Sequence, residues 1–208
     1  MCERVGRLSG ARAILYLAQG CWDECQSDQE CWDIAKKNVV LLYKSGVFSS
    51  FIDLLSIETE NPSAASNAMK KLAVSLADSI ELRVILSVLY IMTEVLRTNE
   101  EEEVRDSFKQ ELNLAAGDDL LSVRLLSMVT RYCSGSAPHF PMKKVLLLLW
   151  KVLLASLGGS QELARLKVIS PLPFANALDH ADVCLRGLVY SIIRGFIAIT
   201  FLFLIFRS

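Results

Sequence analysis

The most constraining feature of this sequence is residues 82–97, whose apolar side chains cover most of a helix circumference. Leucine, isoleucine, methionine and valine recur there at spacings of three and four residues, the period of an α-helix. A helix that is apolar on nearly every side must be covered on nearly every side. These residues therefore predict a central helix buried between layers.

Neighbouring segments carry the same helical signal in shorter pieces. Helices are predicted for residues 11–19, 31–44, 48–55 and 143–157. Strand-type alternation and Asn-Gly or Asp-Gly hairpin turns are missing from the sequence. The sequence thus predicts an all-α fold. Short helices with brief connections favour an armadillo- or HEAT-like α-solenoid of antiparallel helix pairs, with a globin-like or bundle fold as the alternative.

Local signals refine three positions in this pattern. Asp78 is predicted to cap the central helix by accepting from the N–H of Glu81, whose side chain would reach back. The four carboxylates at 100–103 suit a solvated first turn of the next helix, because the helix dipole favours negative charge there. Trp150 ends an unbroken apolar run and is expected to be buried, whereas Lys151 interrupts that run.

Composition narrows the function classes. The 208 residues are 52% apolar, with 22 basic and 23 acidic side chains and a formal net charge of −1. Mean hydropathy is +0.37, which is high for a soluble domain. Because the positive and negative charges nearly balance, the chain has no long-range electrostatic attraction to nucleic acid or to an anionic membrane. We therefore expect no nucleic-acid partner.

The cysteines favour thiols over a metal site. Six are present, and three of them, Cys21, Cys25 and Cys31, lie close together in the chain. A structural zinc site needs four ligands, and a second pair at metal-ligand spacing is missing. The start carries no secretory signal, so reduced cytosolic thiols are expected. The two Cys-Trp-Asp triplets at 21–23 and 31–33 place tryptophans that are predicted to be packing anchors.

Motifs for catalysis are missing from the sequence. It contains no P-loop, dinucleotide-binding, nucleophile-elbow or zinc-protease pattern. The two histidines, His139 and His180, have no partner at a catalytic or metal spacing. We expect no enzymatic activity and no catalytic or metal-ligating residue.

Lys143 and Lys144 form the candidate site. Two lysines at a helix start oppose the helix dipole, which is unfavourable unless an anion or an acidic partner meets them. The sequence therefore offers an anion- or partner-binding patch at Lys143 and Lys144, with two merely exposed lysines as the alternative.

The chain divides into a helical domain, residues 1–162, and a hydrophobic tail, residues 163–208. Within the tail, residues 187–206 have the length of a membrane-spanning helix with one charge, Arg194. A central arginine costs about 2.5–3.5 kcal/mol, which the surrounding apolar residues could offset. The alternatives are a tail-anchored membrane protein and a tail that packs on the domain or aggregates.

Three stretches resemble a known family. Residues 11–20 and 73–84 are similar to the start and middle of the N-terminal helical domain of the striatin-interacting proteins. The strongest likeness is CSGSAPHFPMKKVLLLLWK at 133–151, a string too long to arise by chance. The resemblance covers residues 11–162. From about residue 163 onward the sequence departs from the family, whose members are also much longer.

The resemblance implies a cytoplasmic, non-enzymatic scaffold of the striatin-interacting phosphatase and kinase assembly. Implied partners are striatin, protein phosphatase type 2A subunits, germinal-centre Ste20-type kinases and a Mob-family subunit. The resemblance also implies a role in cell shape and the cytoskeleton. Some members hold an inositol polyphosphate as a structural ligand, and Lys143 and Lys144 are candidates for binding it in this chain.

Overall fold

A computed structural model describes residues 2–59, 79–114, 120–132 and 140–158. Within these ranges all regular secondary structure is α-helical, which confirms the all-α prediction. The helices are α1 (Cys2–Ala18), α2 (Asp28–Lys44), α3 (Val47–Thr59), α4 (Ile80–Arg97), α5 (Glu102–Asn113), α6 (Leu121–Tyr132) and α7 (Met142–Leu157).

Helix α4 is the centre of the fold. It packs against α1, α2, α3, α5 and α7, and α7 in turn packs against α5 and α6. Leu82, Leu86, Leu89 and Leu96 are fully buried along α4. Burying one such side chain contributes about 1.5–3 kcal/mol. The prediction of a central, nearly all-round buried helix is therefore confirmed.

Helix α1 begins nine residues earlier than predicted. The prediction started at residue 11 because the preceding residues are charged and include glycines, but the helix begins at Cys2. Leu8 packs against the core and Ala11 is buried, so the apolar spacing of the helix continues upstream. Arg7 also lies 3.6 Å from the buried carboxylate of Glu81, which holds this first part of α1 against α4.

The cap of α4 is Ser79, not Asp78. The Ser79 hydroxyl accepts from the N–H of Leu82 at 3.1 Å and donates to the carboxylate of Glu58 at 2.8 Å. The cap therefore lies one residue later than predicted. Glu81 is buried and its carboxylate lies near Arg7 of α1, and Asp78 lies outside the described residues.

The end of α1 fits closely against the start of α2. Gly20 has a φ of +86°, as predicted for a glycine that ends a helix. A Cβ at Gly20 would lie 2.0 Å from the carbonyl oxygen of Cys31. Only glycine provides both this backbone conformation and this clearance, so the α1–α2 turn is fixed by a backbone contact.

Two residues of α7, Trp150 and Lys151, differ in how they fit the sequence prediction. Trp150 is only partly buried, so the expectation of a fully buried indole was wrong. Lys151, which interrupts the apolar run, places its ammonium 2.8 Å from the carboxylate of Glu94 on α4. The charge is retained inside an apolar helix because it has a partner on the neighbouring helix.

The predicted domain boundary and the predicted membrane span both fall outside the described residues and stay predictions. Residues Met1–Leu157 form one compact unit, but the boundary at 162 and the tail at 163–208 lie outside the described residues. The same is true of the candidate membrane span at 187–206. Among the described helices no single one has the length and apolar character of a membrane span, and α2 with α3, bent by 75°, has them only jointly.

Candidate interaction surface

The two lysines predicted as an anion-binding patch lie at the start of α7 with different surroundings. Lys143 is exposed. The ammonium of Lys144 donates to the hydroxyl of Ser87 and, at 3.4 Å, to the backbone carbonyl of Arg83. Adjacent residues on a helix point in different directions, so the structure leaves Lys143 accessible and ties Lys144 to α4.

Arg83 joins this site, although it is 61 residues away from Lys144 in the sequence. Partial burial lowers the pKa of Lys144, and the nearby positive charge of Arg83 lowers it further. Two cations brought together in this way favour an anion at the surface between them. Sequence reasoning missed Arg83 because only the packing of α7 on α4 brings it close.

A second surface feature is an open groove of about 760 Å³ between α2 and the α4–α5 connection. Its lining residues are Trp32, Asp33, Lys36, Lys37, Val40, Val95, Thr98, Asn99, Glu100 and Glu101. The α2 side carries two lysines and one aspartate, and the opposite side carries two glutamates. The groove therefore offers an aromatic side chain between a mixed-charge wall and an acidic wall.

Side-chain contacts hold the α2 wall of the groove. The Lys36 ammonium lies 3.1 Å from the carboxylate of Asp33 and 6.0 Å from the ring centre of Trp32. Hydrogen bonds from Lys36 and then Gln29 lower the pKa of Asp33. The Trp32 ring is thus placed beside a paired lysine while 43% of the residue stays exposed.

The acidic run forms the other wall. Glu102 and Glu103 occupy the first turn of α5, as predicted. Glu101 precedes them, with its N–H bonded to the Asn99 side chain at 2.8 Å and its carboxylate 4.0 Å from Lys44. The run is therefore a helix start, as expected, and also one side of the groove.

The prediction that Trp22 and Trp32 are packing anchors was wrong. Trp22 is 59% exposed and Trp32 is 43% exposed. Trp22 meets Tyr16 edge-to-face, with ring centres 6.4 Å apart. Trp22 lies in the α1–α2 loop, and Trp32 lies in the first turns of α2. Their residue type favours burial, but their position keeps them at the surface.

Three thiols lie at the α1–α2 turn. Cys25 donates to the carbonyl of Gly20 at 3.1 Å, and Cys31 donates to the carbonyl of Gln19 at 3.2 Å. Asn38 donates to the sulfur of Cys21 at 3.9 Å. Partial burial and a hydrogen bond with the Cys31 thiol raise the pKa of Cys25 to about 11. Among the described residues, no three His, Cys, Asp or Glu side chains are arranged to hold a metal ion.

Comparison with known proteins decides the family. A family model described as N1221-like protein matches residues 2–172. Striatin-interacting protein 2 of Homo sapiens is 48% identical over 173 residues, which is 80% of this chain and 21% of that protein. The chain belongs to the striatin-interacting protein family. The resemblance predicted from the sequence is confirmed.

Other striatin-interacting proteins match over the same part of the chain. Striatin-interacting protein 1 homolog of Danio rerio is 46% identical over 172 residues, 79% of this chain and 21% of that protein. Striatin-interacting protein 1 of Homo sapiens is 44% identical over 171 residues, 79% of this chain and 20% of that protein. The chain thus spans about a fifth of the length of these relatives, and the family match extends past the predicted boundary at 162.

Proposed function

We propose that this chain is a non-enzymatic interaction module of the striatin-interacting phosphatase and kinase assembly. The observation that carries the proposal is the 48% identity over 173 residues to a protein named for its interaction with striatin. Striatin is accordingly the first proposed partner. Protein phosphatase type 2A subunits, germinal-centre Ste20-type kinases and a Mob-family subunit follow as further partners of the same assembly.

The surface of the helical unit supports an interaction role. Exposed aromatic side chains are enriched among the residues that dominate binding energies at protein interfaces. Trp32 presents such a side chain in the groove beside α2, between lysines and glutamates that can pair with charges on a partner. We propose this groove as the surface that contacts striatin, on a scaffold of solenoid type that affects cell shape and the cytoskeleton from the cytoplasm.

Affinity purification of the 208-residue chain tests this proposal. Striatin and phosphatase subunits should be recovered from cell extract and identified by mass spectrometry. The variant Trp32→Ala should reduce the recovery of striatin several-fold. Leu114→Ala is the matched control, because Leu114 is 68% exposed at the end of α5, away from the groove lining, and its recovery should equal that of the unaltered chain.

Two outcomes would contradict the proposal. If the folded chain recovers neither striatin nor the phosphatase, the assignment to the assembly fails. If Trp32→Ala and Leu114→Ala recover striatin equally, the groove is not the contact surface, although membership of the assembly would stand.

An anion site at Lys143 and Lys144 is a separate part of the proposal. Its support is the positive charge of Arg83 beside Lys144, next to the exposed Lys143 at the start of α7. An inositol polyphosphate, which the family resemblance implies, suits such a cluster because phosphates bind several cations at once. Calorimetric titration of an inositol polyphosphate into the chain should show binding, and the affinity should be lower for the variant Lys143→Gln. Equal binding by that variant would remove Lys143 from the site.

The alternative function, a tail-anchored membrane protein, rests on the apolar composition of residues 187–206. Fractionation of cells that express the chain distinguishes the two locations. Recovery in the soluble fraction would favour the cytoplasmic scaffold. Recovery in membranes that is lost on deletion of 187–206 would favour the anchor, with the helical unit then presented at a membrane surface.

A further inference from the structure

The α1–α2 turn brings two thiols together at the end of α1. Cys25 lies in the loop, and Cys31 lies in the first turns of α2. They donate to the carbonyls of consecutive residues, Gly20 and Gln19, at 3.1 and 3.2 Å, so both thiols lie against neighbouring carbonyls at the end of α1. Five residues separate Cys25 from Cys31 in the sequence, and the fold of the turn brings the two thiols to the same place.

We propose that Cys25 and Cys31 form a reversible intramolecular disulfide when the protein meets a low-molecular-weight disulfide such as glutathione disulfide. A disulfide requires the two sulfurs to approach to about 2.05 Å, and the two thiols start from neighbouring carbonyls of one turn. Both cysteines are partly exposed, so the reagent has access. Cys25 is placed in a loop that supplies the conformational freedom for closure.

Cys21 is excluded as the preferred partner by its own contacts. Its backbone has a φ of +53°, and the Asn38 side chain donates to its sulfur at 3.9 Å. Asn38 is held in turn by a 2.9 Å hydrogen bond to the carbonyl of Leu17. The Cys21 sulfur is therefore engaged by Asn38 of α2, whereas the other two thiols bond to neighbouring carbonyls at the end of α1.

The reaction proceeds by two thiol–disulfide exchanges. The thiolate of Cys31 attacks one sulfur of the reagent, its S–S bond breaks, and one thiolate leaves with the electron pair. Cys25 then loses its proton to solvent and attacks the Cys31 sulfur of this mixed disulfide. The second reagent thiolate leaves. Two electrons pass to the reagent, which ends as two thiols carrying the two protein protons.

Oxidation would alter the junction between α1 and α2. Neither sulfur of the disulfide retains a proton, so the carbonyls of Gln19 and Gly20 lose both donors. The same junction depends on the tight backbone contact of Gly20 with Cys31. In a reducing cytosol such a bond would form only transiently, as expected of a regulatory disulfide.

Peptide mapping of the full chain tests the proposal. The protein is incubated with excess glutathione disulfide, free thiols are alkylated, and the chain is cut after Lys, Arg and Glu. The sequence then places the three cysteines in separate peptides, 13–24, 25–30 and 31–36. We expect 25–30 linked to 31–36, with 13–24 alkylated, and release of the link by dithiothreitol.

Variants and an unfolded control sharpen the result. Cys21→Ser should retain the link, and Cys25→Ser should abolish it while leaving a mixed disulfide on Cys31. In urea the three cysteines should pair in a mixture, because the turn that selects one pair is gone. Full alkylation of Cys25 in the folded, oxidised chain, or a dominant link to Cys21, would overturn the proposal.

Discussion

Helices α4 and α2 have nearly the same length but opposite environments. Eleven of the 18 residues of α4 are buried, whereas only Ala35 and Val39 are buried among the 17 of α2. Helix α4 supplies the core that all its neighbours share, and α2 supplies exposed side chains on one wall of a groove. Stability and the proposed interaction therefore depend on different helices, which makes the two separable by substitution.

The largest effect should come from the core of α4. Leu89 is fully buried there, so Leu89→Ala removes its burial and leaves a cavity. We expect a loss of about 2–5 kcal/mol in the free energy of unfolding. Urea denaturation followed by circular dichroism measures the loss. A change below about 0.5 kcal/mol, the size typical of surface positions, would contradict the central place of α4.

A smaller effect should come from the ion pair that joins α4 to α7. Burial raises the pKa of Glu94, but hydrogen bonds from Lys151 and Arg97 outweigh it and leave the pKa below its ordinary value of 4.5. Glu94→Gln should cost about 1–3 kcal/mol, as expected for charge-assisted hydrogen bonds. The Lys151 and Arg97 contacts at 2.8 and 3.0 Å support this size.

The same pair gives a pH dependence with a definite sign. Because the folded pKa of Glu94 is depressed, its stabilisation is fully present above about pH 4.5 and is lost as pH falls through the folded pKa. The difference in unfolding free energy between Glu94→Gln and the unaltered chain should shrink over that range. A difference that stays constant from neutral to acidic pH would show that the ion pair does not stabilise the fold.

The two helices also carry the same capping residue in different settings. Ser79 caps α4, is buried, and donates to Glu58, whereas Ser27 caps α2 at the surface by accepting from the N–H of Glu30. Ser79→Ala should cost about 1–2 kcal/mol and Ser27→Ala about 0.5–1 kcal/mol. Thermal unfolding of both variants measures the difference. A larger loss from Ser27→Ala than from Ser79→Ala would contradict the claim that the cap of α4 contributes more to stability than the cap of α2.

The smallest effect should come from the exposed side of α2. Leu41 is 65% exposed, so Leu41→Ala should change the unfolding free energy by less than about 0.5 kcal/mol. The matched comparison is Leu89→Ala, the same substitution in α4. If Leu41→Ala unfolds the chain as readily, α2 is a core helix and the separation of roles is wrong.

The parts of the fold that could be predicted are those in which the spacing of apolar residues or a helix-ending glycine decides the structure. The period of apolar residues along α4 predicted its central position, and Gly20 predicted the end of α1. Local propensity failed at the start of α1, because packing of Leu8 and the contact of Arg7 with Glu81 extend a helix through charged residues and glycines. The contact of Arg7 with Glu81 joins residues far apart in the chain, which local helix propensity does not register.

The candidate site was less predictable for the same reason. Lys143 and Lys144 stand out in the sequence, but Arg83 joins them only through the packing of α7 on α4. Aromatic residue type suggested that Trp32 is buried, while its place on a helix with few buried residues leaves it exposed. The placement of the Cys25 and Cys31 thiols on neighbouring carbonyls depends on the geometry of the α1–α2 turn.

Direct binding between purified components tests the central claim, that this helical unit is an interaction module for striatin. The folded chain and striatin are mixed and separated by size-exclusion chromatography, with helical content checked by circular dichroism. We predict co-elution in one complex that Leu41→Ala leaves intact and Trp32→Ala weakens. Separate elution of striatin from a chain that is helical and folded would contradict the claim.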